Sequence, residues 1–336
     1  MLLLLEREHP AVHAAVERIL RGDNKIPVSV VRDFDGCEYH IRVEWDKEEK
    51  EMSQTSGVDS KDTGSGEVGT VNVGGTASVT VSLRSFTPFA ELNTHGNFYE
   101  VLTTLFPSEL QKFVVCDTHK GDGEDFTVAV HIPSNVPAKM LREAMHSTAQ
   151  LRAWSFVPAF ARQFELFLTN PEVVQPLQLH YHDGEEMVVY NNRGSFIVAI
   201  ALRVSSKDDA VLTRHFLQAM VEVRKHERSF CGSSAFIFEQ GGPPDSVVAV
   251  TGPRGRVRDP NTFWCSFQLY KQQMEPPPRL VETVMHLVNF RTTLAYHIRT
   301  GRTYMHGIMR KRVESSLQWL NKAKARVAEE TKITIT

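Results

Sequence analysis

The residues whose types and spacing come nearest to supporting chemistry lie in the stretch Leu179-His180-Tyr181-His182-Asp183-Gly184-Glu185-Glu186. Side chains two apart on a strand share a face. His180 and His182 would therefore present two imidazoles together, with Glu186 adding a carboxylate four residues later. Imidazole with carboxylate suits a transition metal in tetrahedral or octahedral geometry. A complete site of this kind needs another imidazole from a second segment. Pro253-Arg254-Gly255 is where that segment would begin, and Arg258 stands where the ligand would fall. A guanidinium stays protonated and has no acceptor to offer a metal. Asp183-Gly184 also reads as a hairpin tip, which would set a turn between His182 and Glu186. Two histidines on an edge hairpin, without a ligand role, fit these facts better, and no bound metal is expected.

Other chemical signals are thinner. The Gly-rich run at 64–75 has no Gly-Lys-Ser/Thr ending and no strand feeding a helix, so it is not read as a phosphate loop. No nucleophile elbow occurs. Cys37, Cys116, Cys231 and Cys265 are far apart, without ligand spacing, and read as small core residues in a reducing compartment. No cofactor is expected. Arg254, Arg256 and Arg258 make a basic loop, but aromatic interleaving is poor and the net charge is −2, so nucleic acid is not an expected partner. Composition is 41% hydrophobic and 23% charged, which sets aside wholesale disorder and a membrane class. Residues 2–5 are too short and lack the basic start of a secretion signal, and no run of about 18 apolar residues occurs. A cytoplasmic protein that does not touch the membrane is expected.

The elements that would position these residues occur twice in the same order. Residues 6–21 read as a first helix. Strands at 28–32 and 37–45 flank Asp35-Gly36, and residues 46–77 form a Gly, Ser, Thr, Asp and Glu mixture that reads as a flexible insertion, since a strand resumes at 78–86. An amphipathic helix (88–106), strands (112–117 and 125–131) and a longer helix running to 168, with Pro158 able to kink or break it, follow. Asn170, Pro171 and Pro176 mark a boundary. Beyond it come a second Asp-Gly hairpin (178–181 and 186–190), a strand (195–204), a helix (209–227), and strands at 235–239, 247–251 and 263–270. The reading is α/β (α+β): two similar domains, each a mainly antiparallel sheet with helices on one face. Residues 1–170 and 171–300 would be these domains, and 301–336 a protruding helix and tail.

The last helix organises the rest. Apolar residues recur on one phase at Leu280, Val284, Leu287, Leu294 and Ile298, then at Met305, Met309, Val313, Leu317 and Leu320. An unbroken helix over residues 278–328 would run roughly 75 Å, too long for one sheet to cover. Met305, Ile308, Met309, Val313, Leu317 and Leu320 are therefore the expected partner-binding residues. Arg299, Arg302, Arg310, Lys311, Arg312 and Lys322 stand among them against a single acid, Glu314. An acidic partner surface is the natural complement. Gly301 and Gly307 either break this helix or admit a close backbone approach.

Several of these segments resemble one family, the 34-kilodalton subunit (subunit 2) of the Arp2/3 complex. They are Asp33-Phe34-Asp35-Gly36 with Tyr39-His40-Ile41, Glu91-Leu92 with His95-Gly96, and His180-Tyr181 through Asp183 to Glu186-Met187. The C-terminal run matches best: Tyr296-His297-Ile298-Arg299, Tyr304, His306, Met309-Arg310 and Leu320-Asn321-Lys322-Ala323. The insertion at 46–77, the stretch 112–175 and the loop at 241–258 depart from the pattern. The resemblance implies a non-catalytic scaffold of two related domains, whose C-terminal helix pairs antiparallel with a helix of the 20-kilodalton subunit. It further implies clamping of the two actin-related subunits, which hold the ATP, contact with the side of the mother actin filament, and a place in the actin cytoskeleton. No contact residue is carried over within 112–175. The competing reading is a cupin-like metal-dependent enzyme built on His180, His182 and Glu186.

Overall fold

A computed structural model describes residues 10–20, 28–32, 36–45, 77–117, 126–132, 137–171, 174–226, 235–252 and 259–333. The expectations at residues 2–5, for the insertion over 46–76, and for the loop at 253–258 lie outside them. The elements run α1 (Pro10–Leu20), β1 (Val28–Arg32), β2 (Glu38–Trp45), β3 (Ala77–Arg84), α2 (Phe89–Leu92), α3 (Phe98–Leu105), α4 (Ser108–Gln111), β4 (Val114–Asp117), β5 (Phe126–Ile132), α5 (Ala138–Trp154) and α6 (Val157–Thr169). They continue with β6 (Leu177–His182), β7 (Glu185–Asn192), β8 (Ser195–Arg203), α7 (Lys207–His226), β9 (Ala235–Gly241), α8 (Asp245–Thr251), β10 (Asp259–Leu269), α9 (Lys271–Met274) and α10 (Pro277–Ile333).

The strands form two five-stranded antiparallel sheets, ordered β1-β2-β3-β5-β4 and β6-β7-β8-β10-β9. One order is the other shifted by five strands, so the repeat read from the sequence is present in the topology, and the fold class is α+β. The first two strands of each sheet are joined across a glycine with positive φ. Gly36 and Gly184 sit at φ +83 and +67, a region that a side chain rarely adopts. By compactness the chain divides into Met1–Arg203 with Gly232–Thr292, which holds both sheets, and Val204–Cys231 with Thr293–Thr336.

The two sheets bury their faces differently, and their sequences say so. In β3, Val79, Val81 and Leu83 are buried and register with Val130, Val128 and Phe126 of β5. Phe126 meets Phe98 of α3 edge-on at 5.1 Å, so this is the helix-covered face. The alternate residues carry hydroxyls: Ser82 and Thr127, themselves buried, share a hydrogen bond of 2.9 Å. The strand alternates as a one-sided strand should. In β8, by contrast, Phe196, Val198, Ala199, Ile200, Ala201 and Leu202 are all buried. One face takes Phe164 and Phe167 of α6, and Phe290 of α10 against Phe267. On the other, Val188, Tyr190, Ala199, Ala201 and Trp264 pack with Val247 and Val250 of α8. A strand covered twice has no polar alternation to show. Burying each such side chain contributes roughly 1.5–3 kcal/mol, so a charge at Val198 or Ile200 would break this sheet.

Two local expectations are corrected, and the open choice between a kink and a break near Pro158 is decided. Residues 247–251 form part of helix α8, not a strand: Pro244 precedes it, Asp245 lies in its first turn, and Gly252 ends it. Packing of Val247 against the sheet, and the Tyr190 to Ser246 hydroxyl bond of 2.9 Å, override the strand preference of Val-Val-Ala-Val. The helix expected over 88–106 is two, α2 and α3, separated at Asn93–Asn97, where the Asn93 side chain accepts from the Phe98 N–H. The long helix ending at 168 is α5 and α6, broken at Ser155-Phe156 with Pro158 in the first turn of α6.

The final helix is continuous through Gly301 and Gly307 and spans 57 residues, about 85 Å at 1.5 Å per residue. Its first turns belong with the second sheet: the Tyr181 hydroxyl donates to the Val288 carbonyl, and Phe290 packs on Phe267. In the second compact unit, Leu294 and Ile298 of α10 and Leu217 of α7 are buried. His297 stacks on Phe216 at 5.4 Å, and Arg302 pairs with Asp209 at 3.6 Å. Ser206 caps α7, its hydroxyl accepting from the Asp209 N–H at 3.1 Å.

Candidate interaction surface

From residue 302 to 321 every side chain of α10 is exposed. Eight of them are large and apolar: Tyr304, Met305, Ile308, Met309, Val313, Leu317, Trp319 and Leu320, exposed by 37% to 72%. Singly exposed apolar residues are ordinary, but a contiguous run of this kind marks a contact surface. The sequence pattern that forms the helix also groups the side chains. At about 100° per residue, Met305, Met309, Val313, Leu317 and Leu320 fall within an arc of roughly 120°. Tyr304, Ile308 and Trp319 fall on a separate arc of roughly 60° beside it. Tyr304 and Trp319 were not among the expected site residues. They are out of phase with the main stripe, and their exposures of 70% and 72%, the largest among the apolar residues, single them out.

The basic side chains are placed unequally. Arg299, Arg310, Lys311 and Arg312 are exposed. Arg302 is held by Asp209, which also accepts from the Ser205 hydroxyl at 3.2 Å. The side chain of Lys322 lies outside the described residues. Thr303, Ser315 and Ser316 turn their hydroxyls back onto the carbonyls of Arg299, Lys311 and Arg312 at 2.9–3.0 Å. Apart from the adjoining residues and backbone of α10 itself, no described atom lies within 4 Å of where a Cβ would sit on Gly301 or Gly307.

The histidine hairpin has a different environment from that of a metal centre. Leu179 and Tyr181 alternate into the core, with a register shift in the strand pair between His180 and His182. His180 stands out to solvent and holds the Glu91 carboxylate of α2 twice, through its backbone N–H at 2.7 Å and its ring Nδ1 at 2.5 Å. His182 packs against the Phe86 ring at 4.4 Å between centroids. Glu186 lies across the strand pair from His180, and it is Glu185 that points inward. The Glu185 carboxylate accepts from Arg291 Nε at 2.5 Å and from the Arg203 N–H at 2.8 Å. Burial raises its pKa above the usual carboxylate range, and the Arg291 guanidinium opposes that shift. Among the described residues, no group of three or more His, Cys, Asp and Glu side chains could hold a metal ion. Burial likewise pushes the Cys265 and Cys116 thiols up, away from nucleophilic character.

Fold and surface together define an α+β protein of two matching antiparallel sheets, with one long helix that exposes eight large apolar side chains. The family model described as "Arp2/3 complex, 34 kD subunit p34-Arc" matches residues 81–327, and the chain belongs to that family. It is similar to actin-related protein 2/3 complex subunit 2 of Dictyostelium discoideum, 25% identical over 336 residues that cover 100% of this chain and 98% of the other. The Schizosaccharomyces pombe subunit 2 is 27% identical over 157 residues, 46% of this chain and 48% of the other. Subunit 2B of Arabidopsis thaliana is 28% identical over 152 residues, 44% of this chain and 37% of the other.

Proposed function

We propose that the chain is a non-catalytic scaffold subunit of an Arp2/3-type complex and supports nucleation of branched actin filaments. Family membership and a relative matched along the whole chain support the complex. The observation that carries the binding role is the solvent-exposed stripe Met305, Met309, Val313, Leu317 and Leu320, with Ile308 at its margin. Buried against a partner, each of these side chains would contribute roughly 1.5–3 kcal/mol. The partner in this reading is an antiparallel helix of the 20-kilodalton subunit. The actin-related subunits are clamped alongside, and the chain associates with the cytoskeleton. No helix among the described residues is long and apolar enough to cross a membrane.

Arg299, Arg310, Lys311, Arg312 and Lys322 would meet the acidic side of the mother filament. Arg302 contributes less, because Asp209 already neutralises it. Residues 1–170 and 171–300 act as the two related domains, and 301–336 as the docking helix and tail. Leu317→Asp tests the reading. The isolated variant keeps its circular dichroism and unfolding midpoint but no longer co-purifies with the small helical subunit, and retained co-purification overturns it.

A further inference from the structure

The exposed stretch of α10 is apolar over more of its circumference than one helix can cover. A seam for one partner takes an arc of about 100°, and the stripe from Met305 to Leu320 already fills roughly that. Tyr304, Ile308 and Trp319 lie on a second arc, centred roughly 130° away from the first. With Ser315 they repeat at intervals that keep one helical face, and they span 15 residues, about 22 Å. Between the two apolar ends of this face stand Lys311 on one margin and Arg312 on the other, both exposed. The only acid on α10 between Tyr304 and Trp319 is Glu314, which lies off this face, about 110° from its centre and beyond Lys311. Aromatic anchors with adjacent cations are the composition of binding hot spots.

We propose that α10 is the central helix of a three-helix contact, its second face taking an amphipathic helix with carboxylates midway between two apolar turns. The apolar turns cover Tyr304 with Ile308 at one end and Trp319 at the other, and the carboxylates meet Lys311 and Arg312. The charge pattern selects this occupant: an apolar helix would leave both cations desolvated without partners, and a basic one would be repelled. The proposal rests on the first seam being filled as set out above. It reassigns Lys311 and Arg312 from the filament to this helix, leaving Arg299 and Arg310, on the far flank of the first seam, for the filament.

Photo-crosslinking in the purified, assembled complex tests this, with benzoylphenylalanine placed at position 317 in one variant and at 319 in another. The expected result is two different crosslinked segments, the one from 319 carrying acidic residues between apolar ones at helical spacing. Lys311→Glu lowers the 319 crosslink at least about tenfold and leaves the 317 crosslink intact. The same segment at both positions, no crosslink at 319, or a 319 crosslink that forms only when actin filaments are added, each overturns the second seam. Loss of the 317 crosslink instead removes the first seam, so the two failures are told apart.

Discussion

Arg291 of α10 and Glu185 of β7 lie 106 residues apart in the chain and meet through a 2.5 Å charge-assisted hydrogen bond beneath the second sheet's first hairpin. Both side chains are largely withdrawn from water, at 18% and 2% exposure. Removing one member of such a pair strands the other, whereas removing both need not cost anything.

Arg291→Met should therefore destabilise the chain by about 3–5 kcal/mol, and Arg291→Met with Glu185→Leu by much less. The sign of the pH dependence follows from the raised pKa of Glu185. Its fold-stabilising contribution is complete below the ordinary carboxylate value near 4.5 and is lost as pH rises through the higher, folded value. Without Arg291 that value rises further. Urea unfolding of Arg291→Met at pH 5 and at pH 8 should show the larger deficit at pH 8, and an equal deficit at both would exclude this account.

Leu317→Asp and Leu320→Asp should each abolish co-purification with the small helical subunit. Both positions are already half exposed in the free chain, so thermal unfolding of the isolated variants should be unchanged within about 0.5 kcal/mol.

Charge reversal at Arg299 and Arg310 together should weaken cosedimentation of the assembled complex with actin filaments at least about tenfold at low salt. The deficit should shrink toward nothing near 1 M salt, where screening acts within about 3 Å. Cosedimentation that matches the parent complex at every salt concentration would remove these two residues from the filament contact.

Gly307→Ala should stabilise α10 by about 1 kcal/mol, because nothing within 4 Å would meet the new methyl. Gly307 lies on the side of the helix away from Met309 and Leu320. The same substitution should leave partner affinity intact. Helicity by circular dichroism together with a titration of the small subunit would check both halves.

The sequence discloses the repeated sheets because hairpin chemistry is local: Asp35-Gly36 and Asp183-Gly184 announce turns wherever they stand. It discloses the final helix because its stripe holds phase from Leu280 to Leu320. What it hides is set by contacts distant in the chain. Val247 to Val250 read as a strand until Tyr190 and Trp264 are seen to accept them as a helix. Glu186 is the acid that the sequence pattern sets beside His180 and His182, while Glu185, on the face of buried Met187, is the one that turns inward to Arg291. Trp319 falls off the phase of the main stripe, so the periodicity that reveals the stripe does not reveal it. The pairing of Arg302 with Asp209, from another helix, is likewise invisible in a list of basic residues.

The exposed run from Tyr304 to Leu320 also bears on supply. A chain released from the ribosome without its partners displays eight large apolar side chains on one helix. Chaperones and proteases sort nascent proteins by such surface. The free subunit's lifetime in the cell should then depend on how soon that surface is covered, which a pulse-chase with and without its partners would check.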